Sequence, residues 1–202
     1  MSRPRVRTPI PLDHSPTWND LLQEPEGSIA EIINGELILS PRPNPPHARA
    51  TSDLGTLLGG SFRFGRGGPG GWVFVDEPRI RFDPGNFRAP DLAAWRRDTF
   101  AGYPDRGPFV QVPDWICEVL SPSTQRADRT TKMALHRQTG VKHVWLLDPY
   151  ARTLEVFRLE SQGWLRTGSF ANRDLARAEP FDAIEIDLTD LWDPIDDDAV
   201  EE

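Results

Sequence analysis

Apolar and polar residues alternate over residues 28–40 (SIAEIINGELILS), on both sides of an Asn-Gly pair. Alternation with a period of two predicts β-strands. Asn34-Gly35 suits a type I′ turn, because that turn needs positive φ at both central positions. We therefore predict a β-hairpin near the N-terminus. Just before it, residues 17–23 are predicted to form a short helix with Thr17 as its N-cap.

The next part of the chain changes from a helical to a strand-like pattern. Apolar residues spaced three or four apart predict a helix from about 47 to 60. The glycine-rich residues 65–71 are predicted to be a loop, and so are residues 96–113. Apolar runs separated by proline and glycine turns predict three short strands, which lie near residues 72–75, 79–82 and 91–95.

The segment WICEVL (115–120) is apolar except for Glu118, which is typical of a strand covered on both faces. The segment RADRTTKMALHRQTG is predicted to be a helix that ends at Gly140, and KHVWLLDP to be a strand that ends at Pro149. A strand–helix–strand passage requires a crossover, and hence at least one parallel strand pair. Further strands are expected in ARTLEVFRLE, GWLRTGSF and FDAIEIDL (181–188). The predicted fold class is α/β, with a mixed central β-sheet flanked by helices.

Length and charge bound the domain organisation. A chain of 202 residues with 38% hydrophobic content can bury one core, so we expect a single domain at 16–190. Residues 1–15, with three arginines among prolines, are predicted to be a flexible arm, and residues 191–202 an acidic tail. The net charge of −8 is concentrated in residues 180–202, which hold ten acids and no base. The body is therefore close to neutral, and its charge does not exclude a nucleic-acid partner.

Other features concern the compartment. No run of 18 apolar residues is present, so no membrane span is expected, and the N-terminal residues lack the apolar region of a secretory signal. The single cysteine, Cys117, lies in an apolar run and is expected to pack as a small hydrophobic residue. A reducing, cytoplasmic location fits these features.

The charge of Glu118 needs an explanation. Burying a carboxylate in a strand costs several kcal/mol unless a partner compensates it. Asp91 begins another predicted strand, and two acids on adjacent strands could hold a divalent cation between them. Ligation by oxygen alone suits Mg²⁺ or Mn²⁺. Alternatively, Glu118 is a structural partner of Arg126 or Arg129, and Asp91 only begins a strand.

These residues belong to an ordered set of segments that resembles a known family. Pro90-Asp91, EVLSPST (118–124), a lysine on the following helix and GVKHVWLLDP (140–149) are similar to the Uma-two family of restriction-endonuclease-like proteins, in the PD-(D/E)XK nuclease superfamily. The hairpin EIINGELILSPRP and the histidine that follows it match the opening of that family. The resemblance covers roughly residues 18–160.

The resemblance implies a restriction-endonuclease-like core with an N-terminal β-hairpin. It also implies a Mg²⁺-dependent (or Mn²⁺-dependent) endonuclease that hydrolyses DNA phosphodiester bonds. Asp91 and Glu118 would be the metal ligands, and Glu31 would be a third catalytic acid. Glu31 could equally be an ordinary half-exposed strand residue.

One position departs from the superfamily motif. The motif lysine stands two residues after the second acid, where this chain has Leu120. Lys132, on the next helix, is the expected replacement, and its role would be to orient and help deprotonate the attacking water or to neutralise the developing phosphorane charge. Lys132 could also be a solvated helix lysine. His136 shares its helix face, and the roles of His136 and His47 stay open.

Two functions remain. The first is a metal-dependent DNA endonuclease, which we expect to be a homodimer because two-strand cleavage favours two sites. The second is a catalytically weak or inactive nuclease-fold module that binds nucleic acid or protein. The substitution at Leu120 and the acidic tail keep the second function open.

Overall fold

A computed structural model of the chain describes residues 8–23, 27–122 and 125–192. In the N-terminal half, a helix of 14 residues follows the hairpin and continues into a π-helical turn at Gly59–Arg63. The elements are β1 (Thr8–Ile10), α1 (Trp18–Leu21), β2 (Ser28–Ile33), β3 (Glu36–Pro41), α2 (Pro45–Leu58), β4 (Trp72–Asp76), β5 (Ile80–Asp83), β6 (Asn86–Arg88) and β7 (Leu92–Arg96).

The C-terminal half begins with the strand that carries Glu118. A π-helical turn at Asp128–Lys132 separates the two helices that follow it, and a short 3₁₀ helix at Leu188–Leu191 comes last. The elements are β8 (Trp115–Val119), α3 (Gln125–Ala127), α4 (Met133–Thr139), β9 (His143–Asp148), β10 (Thr153–Glu160), β11 (Gly163–Ala171), β12 (Leu175–Ala176) and β13 (Ile186–Asp187).

The predicted hairpin forms part of an antiparallel sheet. This sheet has the order β1-β3-β2-β6-β5 among the described residues. At the hairpin turn, Asn34 has a φ of 51° and Gly35 a φ of 79°. Positive φ at both positions is the signature of the type I′ turn, so this prediction is confirmed.

A second, mixed sheet forms the centre of the molecule, with the order β11-β10-β9-β8-β7-β4. Strands β8 and β9 are parallel, and the other neighbours are antiparallel. The helical segment between β8 and β9 makes the crossover that a parallel pair requires. The mixed α/β fold is therefore as predicted.

Each face of the central sheet has its own core. Helix α2 and the C-terminal segment cover one face, where Phe181 is fully buried among aromatic rings. The segment containing α4 covers the other face and contributes Met133. Cys117 and Val119 face the first core, whereas Ile116 and Leu120 face the second. Glu118 therefore projects to the face that α4 covers.

Some elements differ from their predictions. Helix α2 begins at Pro45 rather than 47, because Asn44 caps it and proline suits the first turn of a helix. Strand β6 lies between two predicted strands. Over the predicted strand 181–188 the backbone pairs only at Ile186–Asp187, since Phe181 turns into the aromatic core.

Parts of the predicted terminal segments lie outside the described residues, namely 1–7 and 193–202. Within the predicted arm, Thr8–Ile10 pairs with β3. In the ranges that the structure describes, no helix is long and apolar enough to cross a bilayer.

Candidate active site

The β7–β8 register brings Asp91 and Glu118 together. Leu92 pairs with Cys117, and Ala93 pairs with Ile116. Continuing this antiparallel register by one residue places Asp91 opposite Glu118. Opposite residues share a face of the sheet, with Cβ atoms about 4.5–5.5 Å apart. Both carboxylates therefore lie at the same end of the same two strands.

Asp91 is held at both carboxylate oxygens. The backbone N–H of Val119 donates to Oδ2 at 2.7 Å, and Nε2 of His47 lies 3.2 Å from Oδ1. His47 comes from the first turn of α2, where its backbone N–H donates to the cap residue Asn44. Burial alone would lower the pKa of His47, but the hydrogen bond to Asp91 and the negative charges of Asp91 and Asp128 together outweigh burial and raise it. His47 therefore contacts Asp91, and the cap of α2 is Asn44.

Glu118 is almost completely buried, and its carboxylate contacts the side chains of Lys132 and His136. Nζ of Lys132 lies 2.6 Å from Oε2, and Nε2 of His136 lies 3.0 Å from Oε1. Burial works against the charged carboxylate, but the Lys132 ammonium and the His136 hydrogen bond outweigh it and lower the pKa of Glu118 to about 2. These partners, rather than Arg126 or Arg129, compensate the buried charge; Arg129 instead pairs with Glu155.

Lys132 reaches back from the helix to the end of the sheet. Its ammonium lies between Glu118 and Asp128, the latter at 2.9 Å. Burial alone would lower the pKa of Lys132, but Asp128 and then Glu118 outweigh burial and raise it. Leu120, at the usual place of the motif lysine, is fully buried in the apolar core. The ammonium of Lys132 thus reaches the Glu118 carboxylate from the helical segment and not from the motif position at Leu120.

Glu31 lies on β2 of the smaller sheet and is buried. It accepts a hydrogen bond from the backbone N–H of Ala89 at 3.3 Å, and Nη1 of Arg88 lies 3.9 Å from its Oε2. Its charge also acts on Lys132, as does that of Asp91. The structure therefore brings all four sequence-predicted site residues into one region.

The charges of this region fit a divalent cation. Its four carboxylates outnumber its arginine and lysine by two. Each carboxylate oxygen that accepts one hydrogen bond keeps a further lone pair. The acids are Glu31, Asp91, Glu118 and Asp128, and the cations are Arg88 and Lys132.

Within residues 8–23, 27–122 and 125–192, no three His, Cys, Asp or Glu side chains form a ready-made metal cage. Mg²⁺ is usually held by one or two carboxylates, with waters and substrate phosphates as its other ligands. The pair Asp91 and Glu118 fits that pattern of ligation.

Sequence reasoning missed Asp128 and left the histidines open. Asp128 stands four residues before Lys132, which is the usual spacing of a helical ion pair and could have indicated the contact. The contact of His47 with Asp91 joins residues far apart in the chain, and no local pattern indicates it.

The fold is similar to that of a protein of known structure. A crystal structure of a putative nuclease belonging to DUF820 from Anabaena variabilis ATCC 29413 superposes with a TM-score of 0.68 at 23% identity. The alignment covers 87% of this chain and 96% of that one, so the two proteins share a fold. No curated protein matches the sequence.

The family comparison covers most of the chain. The model of the Uma2 family, described as "Putative restriction endonuclease", matches residues 17–189. That range contains both strands of the site, α2 and the helical segment that carries Lys132. The chain therefore belongs to the Uma2 family.

Proposed function

We propose that the protein is a Mg²⁺- or Mn²⁺-dependent endonuclease that hydrolyses DNA phosphodiester bonds. One observation carries the proposal: in a member of the Uma2 family, Asp91 directly precedes β7 and, with the strand register continued by one residue, lies opposite Glu118 of β8, beside the buried ammonium of Lys132. A buried cluster of this kind costs free energy to maintain, and perturbed ionisable groups of this kind concentrate at functional sites.

Asp91 and Glu118 would hold the metal ion. A divalent ion at this position supplies activation of water and stabilisation of charge on a phosphodiester under attack. His47 and the backbone of Val119 fix the orientation of Asp91, and His136 fixes that of Glu118. Partners of this kind keep ligands in a productive orientation.

Lys132 contributes a positive charge. An ammonium between two carboxylates is stabilised in its protonated form. We therefore assign Lys132 the role of neutralising the charge that develops on the phosphate. It would not accept a proton from the attacking water. Glu31 supports this arrangement through its negative charge near the ammonium.

Nicking of supercoiled plasmid tests the proposal. Wild-type protein with Mg²⁺ or Mn²⁺ should convert supercoiled plasmid to open-circle or linear DNA, and EDTA should stop the reaction. Asp91→Ala and Glu118→Ala should abolish cleavage and weaken Mn²⁺ binding measured by calorimetry, with the circular dichroism spectrum unchanged. Asp98→Ala, which removes an exposed acid, is the matched control and should retain wild-type cleavage. Unchanged cleavage in either site variant would overturn the assignment.

The same assay separates the alternative function. DNA binding without cleavage under any divalent metal would support an inactive nuclease-fold module. A labelled RNA of matched sequence tests whether DNA is the preferred substrate. The expected homodimer and the cytoplasmic location stay predictions, and sedimentation of the purified protein would measure its oligomeric state.

A further inference from the structure

Asp128 is a buried acid that no sequence motif assigned to the site. It begins the π-helical turn between α3 and α4, and only 1% of its surface is exposed. Its Oδ1 lies 2.9 Å from Nζ of Lys132. Asp128 therefore contacts the ammonium from the helical segment.

The local backbone explains how this contact forms. Asp128 and Lys132 are the first and last residues of the π-helical turn. A π-helical turn is wider than an α-helical turn, is rare, and is found frequently at functional sites. The contact places Lys132 with Glu118 at 2.6 Å on one side and Asp128 on the other. The ammonium is thus held from both the sheet and the helix.

The composition of the chain makes the lysine at this position unusual. The sequence contains 21 arginines and only two lysines, Lys132 and Lys142. An ammonium is a compact point charge, whereas a guanidinium is a planar fork that suits bidentate partners. A lysine that is buried between two carboxylates from different elements therefore suggests selection for a precisely placed point charge. Buried ion pairs are weak stabilisers, so stability alone is a poor reason for keeping this one.

We propose that Asp128 is a positioning residue, which keeps the ammonium of Lys132 next to Glu118 when Glu118 shares its charge with a divalent cation. This inference rests on the proposed function. A cation on Glu118 weakens the attraction between Glu118 and Lys132, because the carboxylate charge is then shared. Asp128 lies in the π-helical turn, so its ion pair with the ammonium is retained.

The first test observes the ammonium itself. Protein labelled with ¹⁵N-lysine has only two side-chain signals, which Lys132→Met assigns. The buried Lys132 ammonium should exchange its protons with solvent slowly, and the 68%-exposed Lys142 should exchange quickly. Asp128→Asn should shift the Lys132 signal and speed its exchange at least about tenfold, with a larger effect when Mg²⁺ is present. An unchanged Lys132 signal would overturn the proposal.

Asp114→Asn is the matched control. Asp114 directly precedes β8, at the end of the strand away from Glu118, and pairs with Lys142 at 2.7 Å. This variant therefore also removes one charge from an Asp–Lys pair. It should move the Lys142 signal, leave the Lys132 signal in place and retain wild-type cleavage.

The second test is a double-mutant cycle in plasmid cleavage. Asp128→Asn should lower kcat about 10–100-fold, as is typical when a partner of a site residue is lost, with little change in KM. In a Lys132→Met background, the same substitution should have less than about a twofold effect, because a positioning residue acts only through its partner. Equal effects in both backgrounds would indicate a general structural role and refute the proposal.

The two tests separate this inference from the proposed function. If wild-type protein shows no cleavage, the endonuclease assignment fails, while the lysine signals still decide whether Asp128 holds Lys132. If wild-type protein cleaves and the cycle is additive, only the positioning role fails.

Discussion

Replacing Lys132 by methionine removes the ammonium and keeps a straight side chain of similar length. The change leaves two nearly fully buried carboxylates, those of Glu118 and Asp128, without the cation that lies 2.6 and 2.9 Å from them. Glu118 keeps its contact with His136 at 3.0 Å. Removing one partner of a buried ion pair typically costs about 3–5 kcal/mol, because an uncompensated charge stays behind.

Urea unfolding followed by tryptophan fluorescence measures this cost. With a denaturant slope of about 2–3 kcal/mol per M, the midpoint should fall by about 1–2.5 M. Mg²⁺ should recover part of the loss, since a divalent ion can replace the missing positive charge. Binding to the folded state alone stabilises by about 2.7 kcal/mol at a free concentration of about 100 Kd.

The matched control is Lys142→Met, which removes the other lysine, a 68%-exposed side chain that pairs with the buried Asp114. Solvent screens an exposed ammonium, and a pair screened in this way contributes about 0–1 kcal/mol, so this variant should change the free energy of unfolding by about 1 kcal/mol or less. If the free energy of unfolding of Lys132→Met lay within about 1 kcal/mol of the wild-type value, the buried carboxylates would not depend on the ammonium. The assignment of Lys132 as their compensating charge would then be wrong.

Two further variants test the aromatic core and the buried acid. Phe181→Ala should lower the free energy of unfolding by about 3–5 kcal/mol, because five aromatic rings have centroids 4.7–5.6 Å from that of Phe181. The control is Phe64→Ala, at a residue that is 61% exposed. In the same urea assay its free energy of unfolding should stay within about 0.5 kcal/mol of the wild-type value. Glu118 has a pKa of about 2 against an ordinary 4.5, so its stabilisation should be present above pH 4.5 and be lost as pH falls toward 2. Glu118→Gln should flatten the loss of stability in that pH window, and an identical pH profile would contradict this lowered pKa.

Local backbone chemistry made several elements predictable. The turn at Asn34-Gly35 and the helix end at Gly140 both need positive φ, which few residues adopt easily. Their conformations are set within a few residues, so sequence reasoning finds them. The parallel β8–β9 pair was predictable for a related reason, because a helix between two strands leaves few topologies open.

Elements that depend on distant contacts were not predictable. Strand β6 has three residues, too few to show an alternating pattern; it pairs with the neighbouring β5 and, at Phe87, with Ile32 of β2, more than 50 positions earlier in the chain. Residues 181–188 alternate in the same way as a strand, yet Phe181 buries its ring among residues of the central sheet. Tertiary packing overrides the local pattern in that segment.

The candidate site also combines features that the local sequence predicts with contacts that depend on distant packing. Asp91 and Glu118 were found because an acid in an apolar strand is conspicuous and strand alternation fixes its face. The contact of Glu118 with Lys132 was expected and is present. The contact of Asp91 with His47 was not, since it depends on how α2 packs against the sheet.

The position of Cys117 has a practical consequence. Its side chain is fully buried on the sheet face opposite Glu118, and burial raises the pKa of its thiol. The thiolate, and not the thiol, attacks thiol-directed reagents, so the buried Cys117 of the folded protein should not react with them. A single cysteine introduced at an exposed position would therefore accept a fluorophore or spin label alone, without removal of the native one.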